Sequence, residues 1–370
     1  MKRILALVLA VLLGLALAAC SEAGQADTSA DAPADAPAAQ PEKAADYHDV
    51  KAKIMIIGKN STDPFTNWLL TAAEKVIQEG YPNVEYVVTN LNDDPSNIVT
   101  LLDQCVLDGY DGVLIQKGSN SINSDEWYQN ATAEGLKISA INAVAKDGAA
   151  SCSYADDYGM AQMMAEYMAQ ALPENAQVVF FKGPDGNQAA MDRVDAYQEH
   201  LFEVRPDVTV IAENFVEGWK KENAITLMED WCQRYDTIDG IISVNDTMAL
   251  AGLDVMKNAG RDISGVYSCG IDGLADGCLS IEAGELTASI LQNADVMSEE
   301  GVRLLMQMIN GDIEHEAYIV DGVMITPDNV AEMIQMHRDN GIITSAGKDR
   351  KAAGDGRIWT QEADDAAISA

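Results

Sequence analysis

From Lys51 onward the chain alternates short apolar runs with longer stretches of helical periodicity, and that alternation leaves few folds open. The runs, at 54–57, 84–88, 112–115, 137–141, 178–181, 208–211, 241–244, 266–269 and 287–291, are mostly continuous in Val, Ile, Leu and Phe. Strands covered on both faces need that composition. Between them, Leu69, Ala72, Ala73, Val76 and Ile77 recur at the spacing of one buried helical face, as do Val302, Leu305, Met306 and Ile309. The stripe Met160, Met163, Met164, Tyr167 and Met168 reads as core packing, with a Met-rich binding surface as the other use of such a face. The repetition predicts an α/β fold of doubly wound parallel sheets. Nine runs suit two lobes better than one sheet.

No long linker separates the lobes, so the chain is expected to cross between them through short segments near Tyr154-Ala155, near Gln292-Asn293 and at 320–322. A multi-crossing hinge follows, with one lobe at 51–155 plus 293–320 and the other at 156–292 plus 321–342. A flexible tail at 343–370 has no functional reading.

The N-terminus is of another kind. Met1-Lys2-Arg3, an apolar stretch of about 14 residues and the small residues before Cys20 have the layout of a secretory signal. With cysteine at the cut, residues 1–19 resemble a bacterial lipoprotein signal, which implies a lipid on Cys20 and an extracytoplasmic protein held at the cell membrane. As a transmembrane anchor the stretch is slightly short of the usual span of about 20 residues. Residues 20–50, with Pro33, Pro37 and Pro41, hold little to bury and read as a disordered tether. Such a coil would keep the next domain roughly 30 Å from its lipid.

The formal charge of −35 argues against nucleic acid, anionic lipid and strongly anionic ligands. Loss of Lys2 and Arg3 with the signal makes the mature chain more negative still. With Cys20 assigned to lipid, Cys105, Cys152, Cys232, Cys269 and Cys278 are odd in number, show no C-x-x-C spacing and read as buried thiols. A Cys269–Cys278 bridge stays open. His48, His200, His315 and His337 fall in the tether or on predicted surfaces, which weakens metal ligation and His-based acid–base chemistry. Neither G-x-x-x-x-G-K-[ST] nor G-x-S-x-G occurs. No metal, cofactor or catalytic residue is expected.

In open α/β sheets ligands sit beyond the carboxyl ends of the strands. Those positions carry Asp63-Pro64-Phe65, Asn142, the loop 183–187 with Asp185 and Asn187, Trp219, Asn245-Asp246, Asp272 and Gln292. Asp, Asn and Gln can each bridge two neighbouring hydroxyls, and aromatic faces cover the C–H patches of a sugar ring. A neutral polyhydroxylated ligand suits the set. Simpler uses exist for several: Asp63-Pro64 as a helix start, Asn245 or Asp246 as a cap, Asp272-Gly273 as a turn.

Across about residues 52–325 the arrangement resembles the periplasmic sugar-binding proteins of the ribose and galactose type, the solute receptors of ABC importers. Asp63-Pro64-Phe65, Asn245-Asp246-Thr247-Met248-Ala249 and Gly270-Ile271-Asp272-Gly273 carry the resemblance. It implies hydroxyl contacts from Asp63 and Asn142 on one lobe and from Asn245 and Asp272 on the other. Phe65 and Trp219 become ring-stacking walls, and Gln292 a hinge-side amide. Asp63, Asn142 and Trp219 match the hexose-binding members better than the pentose-binding ones. Where the family carries an arginine, after the loop 183–187, the spacing places Met191. Arg193 is two residues on, about 200° round a helix, so Asp185 or Asn187 is expected to fill the gap.

The expected protein is therefore a monomeric, lipid-anchored receptor that closes around a neutral monosaccharide and delivers it to an ABC permease. A sensor presenting the same ligand to a chemoreceptor or histidine kinase would share the cleft. A glycosidase built on Asp63 and Asp272 would need its two carboxylates to come from opposite lobes.

Overall fold

The structure is a computed structural model that describes residues 47–117, 125–145 and 148–343. The secretory signal, Cys20, the tether up to residue 46 and the tail from residue 344 lie outside the described residues.

The first half of the fold runs β1 (Ala52–Gly58), α1 (Pro64–Gly80), β2 (Val84–Asn90), α2 (Asn97–Leu107), β3 (Gly112–Ile115), α3 (Asp125–Ala133), β4 (Lys137–Ile141) and β5 (Ser151–Ala155). Next come α4 (Asp157–Ala171), β6 (Gln177–Phe181), α5 (Gln188–Tyr197), β7 (Thr209–Asn214), α6 (Lys221–Arg234), β8 (Gly240–Ser243), α7 (Asp246–Asn258), β9 (Tyr267–Ser268), α8 (Ala275–Glu282) and β10 (Ser289–Leu291). The last elements are α9 (Ala294–Asn310), β11 (Ala317–Val320), β12 (Val323–Ile325) and α10 (Val330–Asp339).

One sheet has the order β11-β5-β4-β3-β1-β2, with every pair parallel. A second has the parallel order β7-β6-β8-β9. Parallel bridges from Cys269 to Ala288 and from Asp272 to Leu291 carry that second sheet on to β10, and β12 pairs antiparallel with β10. The chain thus passes between sheets three times: between β5 and α4, between β10 and α9, and between β11 and β12.

Strand β1 shows why the first sheet is covered twice. Ile54 and Ile56 join the apolar cluster that includes Leu69 and Ala73 of α1, whereas Met55 and Ile57 join one formed with Leu102 and Cys105 of α2. Period-two alternation sends neighbours to opposite faces, and both faces are apolar because helices lie on both. Each isoleucine buried there contributes roughly 1.5–3 kcal/mol. Helix α9 packs across β3, β4 and β5, and Ser139 Oγ donates to the Gly301 carbonyl at 2.8 Å. In the Met stripe, Met160, Met164 and Met168 are buried core residues while Met163 is exposed.

Three strands escaped the sequence reading. Ser151–Ala155 is small and polar, Ala317–Val320 is an edge strand with three exposed residues, and Val323–Ile325 is three residues long. All five described cysteines are free, which closes the Cys269–Cys278 alternative. His337 corrects a second expectation: it is fully buried, 2.8 Å from the Gly273 carbonyl through Nε2 and 4.8 Å from the Trp68 ring. Helix α10 packs its inner face onto α8, and this burial lowers the imidazole pKa.

Candidate sugar-binding cleft

The carboxyl ends of the strands in the two sheets converge on Arg193, which is 4% exposed. Its Nε donates to Asp157 Oδ1 at 2.8 Å, Nη1 to the Val244 carbonyl at 2.7 Å and Nη2 to Gln292 Oε1 at 2.8 Å. Asp272 Oδ1 stands 3.6 Å from Nη1, and the guanidinium lies 5.7 Å from the centre of the Trp219 ring. The expected position for the family's arginine is therefore corrected from Met191 to Arg193. Helix α5 begins at Gln188, and its buried face is Ala190, Arg193, Ala196 and Tyr197, so Arg193 points inward on the third step of an ordinary apolar stripe.

Asp185 and Asn187, expected to fill the gap, lie in the loop that leads into α5. Asp185 is exposed in a turn whose Gly183 and Gly186 have φ of 74° and 70°. Asn187 is the N-cap of α5, its Oδ1 accepting from the Ala190 N–H at 3.0 Å. Gly183 has a further role, because a Cβ there would meet the Trp219 ring at 2.9 Å.

Gln292 joins the two sheets. Beyond its bond to Arg193 it donates from Nε2 to Asn142 Oδ1 at 2.6 Å, and it is 1% exposed. Asn142 follows β4 with φ 54°, Trp219 has φ 60° and Asp272 has φ 126°. Left-handed backbone costs non-glycine residues on the order of 1–3 kcal/mol each and gathers at ligand sites. Asn92 and Asp93, at φ 53° and 59°, extend the pattern to the lip after β2.

Asn245 is 5% exposed and caps α7, its Oδ1 accepting from the Met248 N–H at 2.9 Å. The cap uses the carbonyl oxygen, so the Nδ2 donors remain for another partner. Asp246 is fully buried: Ser289 Oγ donates to it at 2.6 Å and the Leu274 N–H at 2.8 Å. Those bonds tie the start of α7 to the segment carrying Asp272.

Asp63 caps α1 through Oδ1, which accepts from the Thr66 N–H at 2.8 Å. Its Oδ2 accepts from Lys59 Nζ at 2.9 Å. Asn60 Oδ1 holds the Asp63 N–H at 2.8 Å, and Asn60 Nδ2 donates to Asp93 at 2.7 Å. Phe65 is 6% exposed and sits edge-on to Trp68 at 6.1 Å, within the apolar cluster. Trp219 is half-buried.

Charge follows this geometry. Burial pushes the Asp63 carboxyl up, but the Lys59 ammonium and the Thr66 bond outweigh it, so the net pKa is lowered. Burial raises Asp272 well above the ordinary carboxylate range; Arg193 and Lys59 oppose the rise while Asp246 and Asp63 add to it. Lys59 and Asp63 thus act from the first sheet on a carboxyl of the second. Burial raises Asp157 despite Arg193 beside it, and lifts Asp246 to about 7.

The structure brings together Asn142, Gln292, Arg193, Asp272 and Trp219, with Asn245 next to the Val244 carbonyl and Asp63 within charge range. The sequence reading missed Lys59 and Asp157 and set Arg193 aside. Lys59 directly follows the last residue of β1, a position the strand-end rule covers, and Arg193 lies three residues after buried Ala190. Among the described residues no cluster of three or more His, Cys, Asp or Glu could hold a metal ion.

Two compact α/β halves, with polar groups from both sets of strand ends meeting between them, define a two-lobed solute receptor. The sequence model of the periplasmic binding protein domain matches residues 54–313, and the chain belongs to that family. It is 28% identical over 258 residues to a xylitol-binding protein of Mycolicibacterium smegmatis, covering 68% of this chain and 72% of the relative. A ribose import binding protein of Bacillus subtilis is 23% identical over 229 residues, covering 62% of this chain and 72% of the relative. A Bacillus halodurans ABC transporter solute-binding protein with bound myo-inositol superposes with a TM-score of 0.70 at 19% identity, covering 77% of this chain and 98% of that one. The fold is the type I periplasmic binding protein fold, and the branch is that of the sugar-binding solute receptors of ABC transporters, an extracytoplasmic family of binding proteins and not of enzymes.

Proposed function

We propose that this protein is a lipid-anchored extracytoplasmic receptor that captures a neutral monosaccharide, a hexose by preference, and delivers it to an ABC importer. It acts as a monomer. Residues 51–155 with 293–320 form one lobe and 156–292 with 321–342 the other, and closure about the three crossings brings the ligand's two sets of contacts together. Asp63, Phe65 and Asn142 serve one side of the sugar; Trp219, Asn245 and Asp272 serve the other, with Gln292 at the hinge. Asp185 and Asn187, in the loop before α5, add contacts beside Arg193.

The observation that carries the reading is the bonded path from Asp157 through Arg193 and Gln292 to Asn142, flanked by Asp272. Its cations are matched by carboxylates: Arg193 by Asp157 and Asp272, Lys59 by Asp63. A charge-balanced cleft of amides and carboxylates favours an uncharged, hydroxyl-rich ligand. Calorimetry of the purified protein against hexoses, pentoses and polyols tests this, with native mass spectrometry to catch a sugar carried through purification. A hexose bound at micromolar or tighter concentration is the expected result; no binder in the whole panel overturns it. The anchor rests on the run before Cys20, and Cys20→Ala is expected to release the protein from the membrane fraction.

A further inference from the structure

We propose that Lys59 is a specificity-determining residue: its ammonium donates to an oxygen of the ligand and excludes ligands that bring an ammonium of their own. The inference rests on the receptor reading above and concerns the charge its cleft accepts.

Lys59 is 8% exposed, and its ammonium lies 2.9 Å from Asp63 Oδ2. An ammonium carries three donors, and among the described residues Asp63 is the acceptor that Nζ meets. A nearly buried cation with donors to spare is unfavourable unless something supplies further acceptors. The position says where they come from. Lys59 follows the last residue of β1, at the strand end that faces the cleft, and both it and Asp63 act on Asp272 across the gap. A hydroxyl or ring oxygen placed between the lobes would satisfy it.

The same geometry decides what is rejected. Asp63 has one oxygen on the Thr66 N–H and the other on Lys59, so its negative charge is already matched. An amino sugar would bring a second ammonium to a carboxylate that has one. Remove the lysine amine, and Asp63 Oδ2 loses the donor it now accepts from, leaving that oxygen open to a ligand's ammonium. Lys59 therefore occupies, from the protein side, the place an amine-bearing ligand would take.

Calorimetry on wild type, Lys59→Met, Lys59→Arg and the Lys59→Met/Asp63→Asn double variant tests this. The probes are D-glucose, D-galactose, D-ribose, xylitol and myo-inositol, with D-glucosamine and D-galactosamine as amine-bearing probes. Wild type is expected to bind at least one neutral probe and to bind the amines at least about tenfold more weakly. Lys59→Met should lose about ten- to a hundredfold for the neutral probe, the loss of a charged hydrogen bond, and its amine-to-neutral ratio should rise at least about tenfold. Lys59→Arg keeps the wild-type order. The double variant, which removes both charges and folds without a buried unpaired ion, should reject amines again. An unchanged amine-to-neutral ratio in Lys59→Met overturns the proposal, as does amine binding by the double variant. Failure of wild type to bind any neutral probe instead overturns the receptor reading, and this inference with it.

Discussion

At the residue scale the cleft is governed by a few buried charges that depend on one another. Arg193 is the centre: without it, Asp157 and Asp272 keep their burial and lose their cation. Removing one partner of a buried ion pair costs about 3–5 kcal/mol, so Arg193→Met should lower thermal stability by that order and weaken ligand binding at least about tenfold. Thermal unfolding and calorimetry of the variant check both. Asp246 predicts a pH effect. Burial lifts its pKa from 3.8 to about 7, with the bonds from Ser289, Leu274 and Gly273 opposing the rise. The folded chain therefore holds this proton where the unfolded chain has released it. That contribution to stability is complete below 3.8 and is lost as pH rises through about 7. Asp246→Asn, which mimics the protonated carboxyl, should flatten the part of the melting-temperature profile that falls between about pH 4 and about pH 7. An equally steep fall in the variant would assign the slope to other groups.

At the scale of elements, caps and close approaches decide how helices aim their ends. Asp63, Asn187 and Asn245 are N-caps of α1, α5 and α7, so the side chains nearest the cleft also fix the helices that line it. This explains why the sequence could read Asp63 and Asn245 as either caps or contacts: one side chain can accept from its helix and still offer lone pairs or an amide N–H. Helix α9 depends on a different device. A Cβ on Gly301 would overlap the Ile141 side chain, so the bare glycine lets the helix sit directly on β4. Gly301→Ala gains about 1 kcal/mol in helix propensity against an overpacking cost of about 1–3 kcal/mol. A net loss of about 1 kcal/mol, seen as a melting point lower by about 2–4 °C, is the expected outcome of a thermal scan.

At the scale of the whole molecule, the crossings lie on one side of the fold and a salt bridge on the other. β2 ends the first sheet and β7 the second, each at the edge away from the crossing strands. Asp93, after β2, and Lys220, after β7, meet there at 3.2 Å with side chains 33% and 50% exposed. Asp93 is bonded to Asn60 of the first loop, and Lys220 follows Trp219, so the contact couples the lip to the ligand side chains. A pair this exposed contributes about 0–1 kcal/mol and is screened by salt. Lys220→Met should speed ligand release by no more than about fivefold, and raising the salt should shrink the difference from wild type. Stopped-flow dissociation at low and high ionic strength measures both.

What could be read along the chain was whatever depends on neighbours in sequence. Apolar runs covered on both faces gave away nine of the strands, helical spacing gave the intervening helices, and loops after strand ends exposed Asn142, Trp219, Asn245, Asp272 and Gln292 as candidates. The physical cause is local: side-chain period and turn chemistry need only a few adjacent residues. Strands β5, β11 and β12 were hidden because their pairing partners, not their own composition, make them strands. Arg193 was hidden for a related reason. Which way a helix turns its side chains depends on where the preceding loop lets it start, and Asn187 and the glycines of that loop set the start in space. Lys59 drew no reading from the sequence, because its role arises only when folding buries it beside Asp63 and within charge range of Asp272. Composition and period determined a two-lobed α/β chain with polar strand ends; the balance of charge between those ends arose only when long-range packing removed the water that would have screened it.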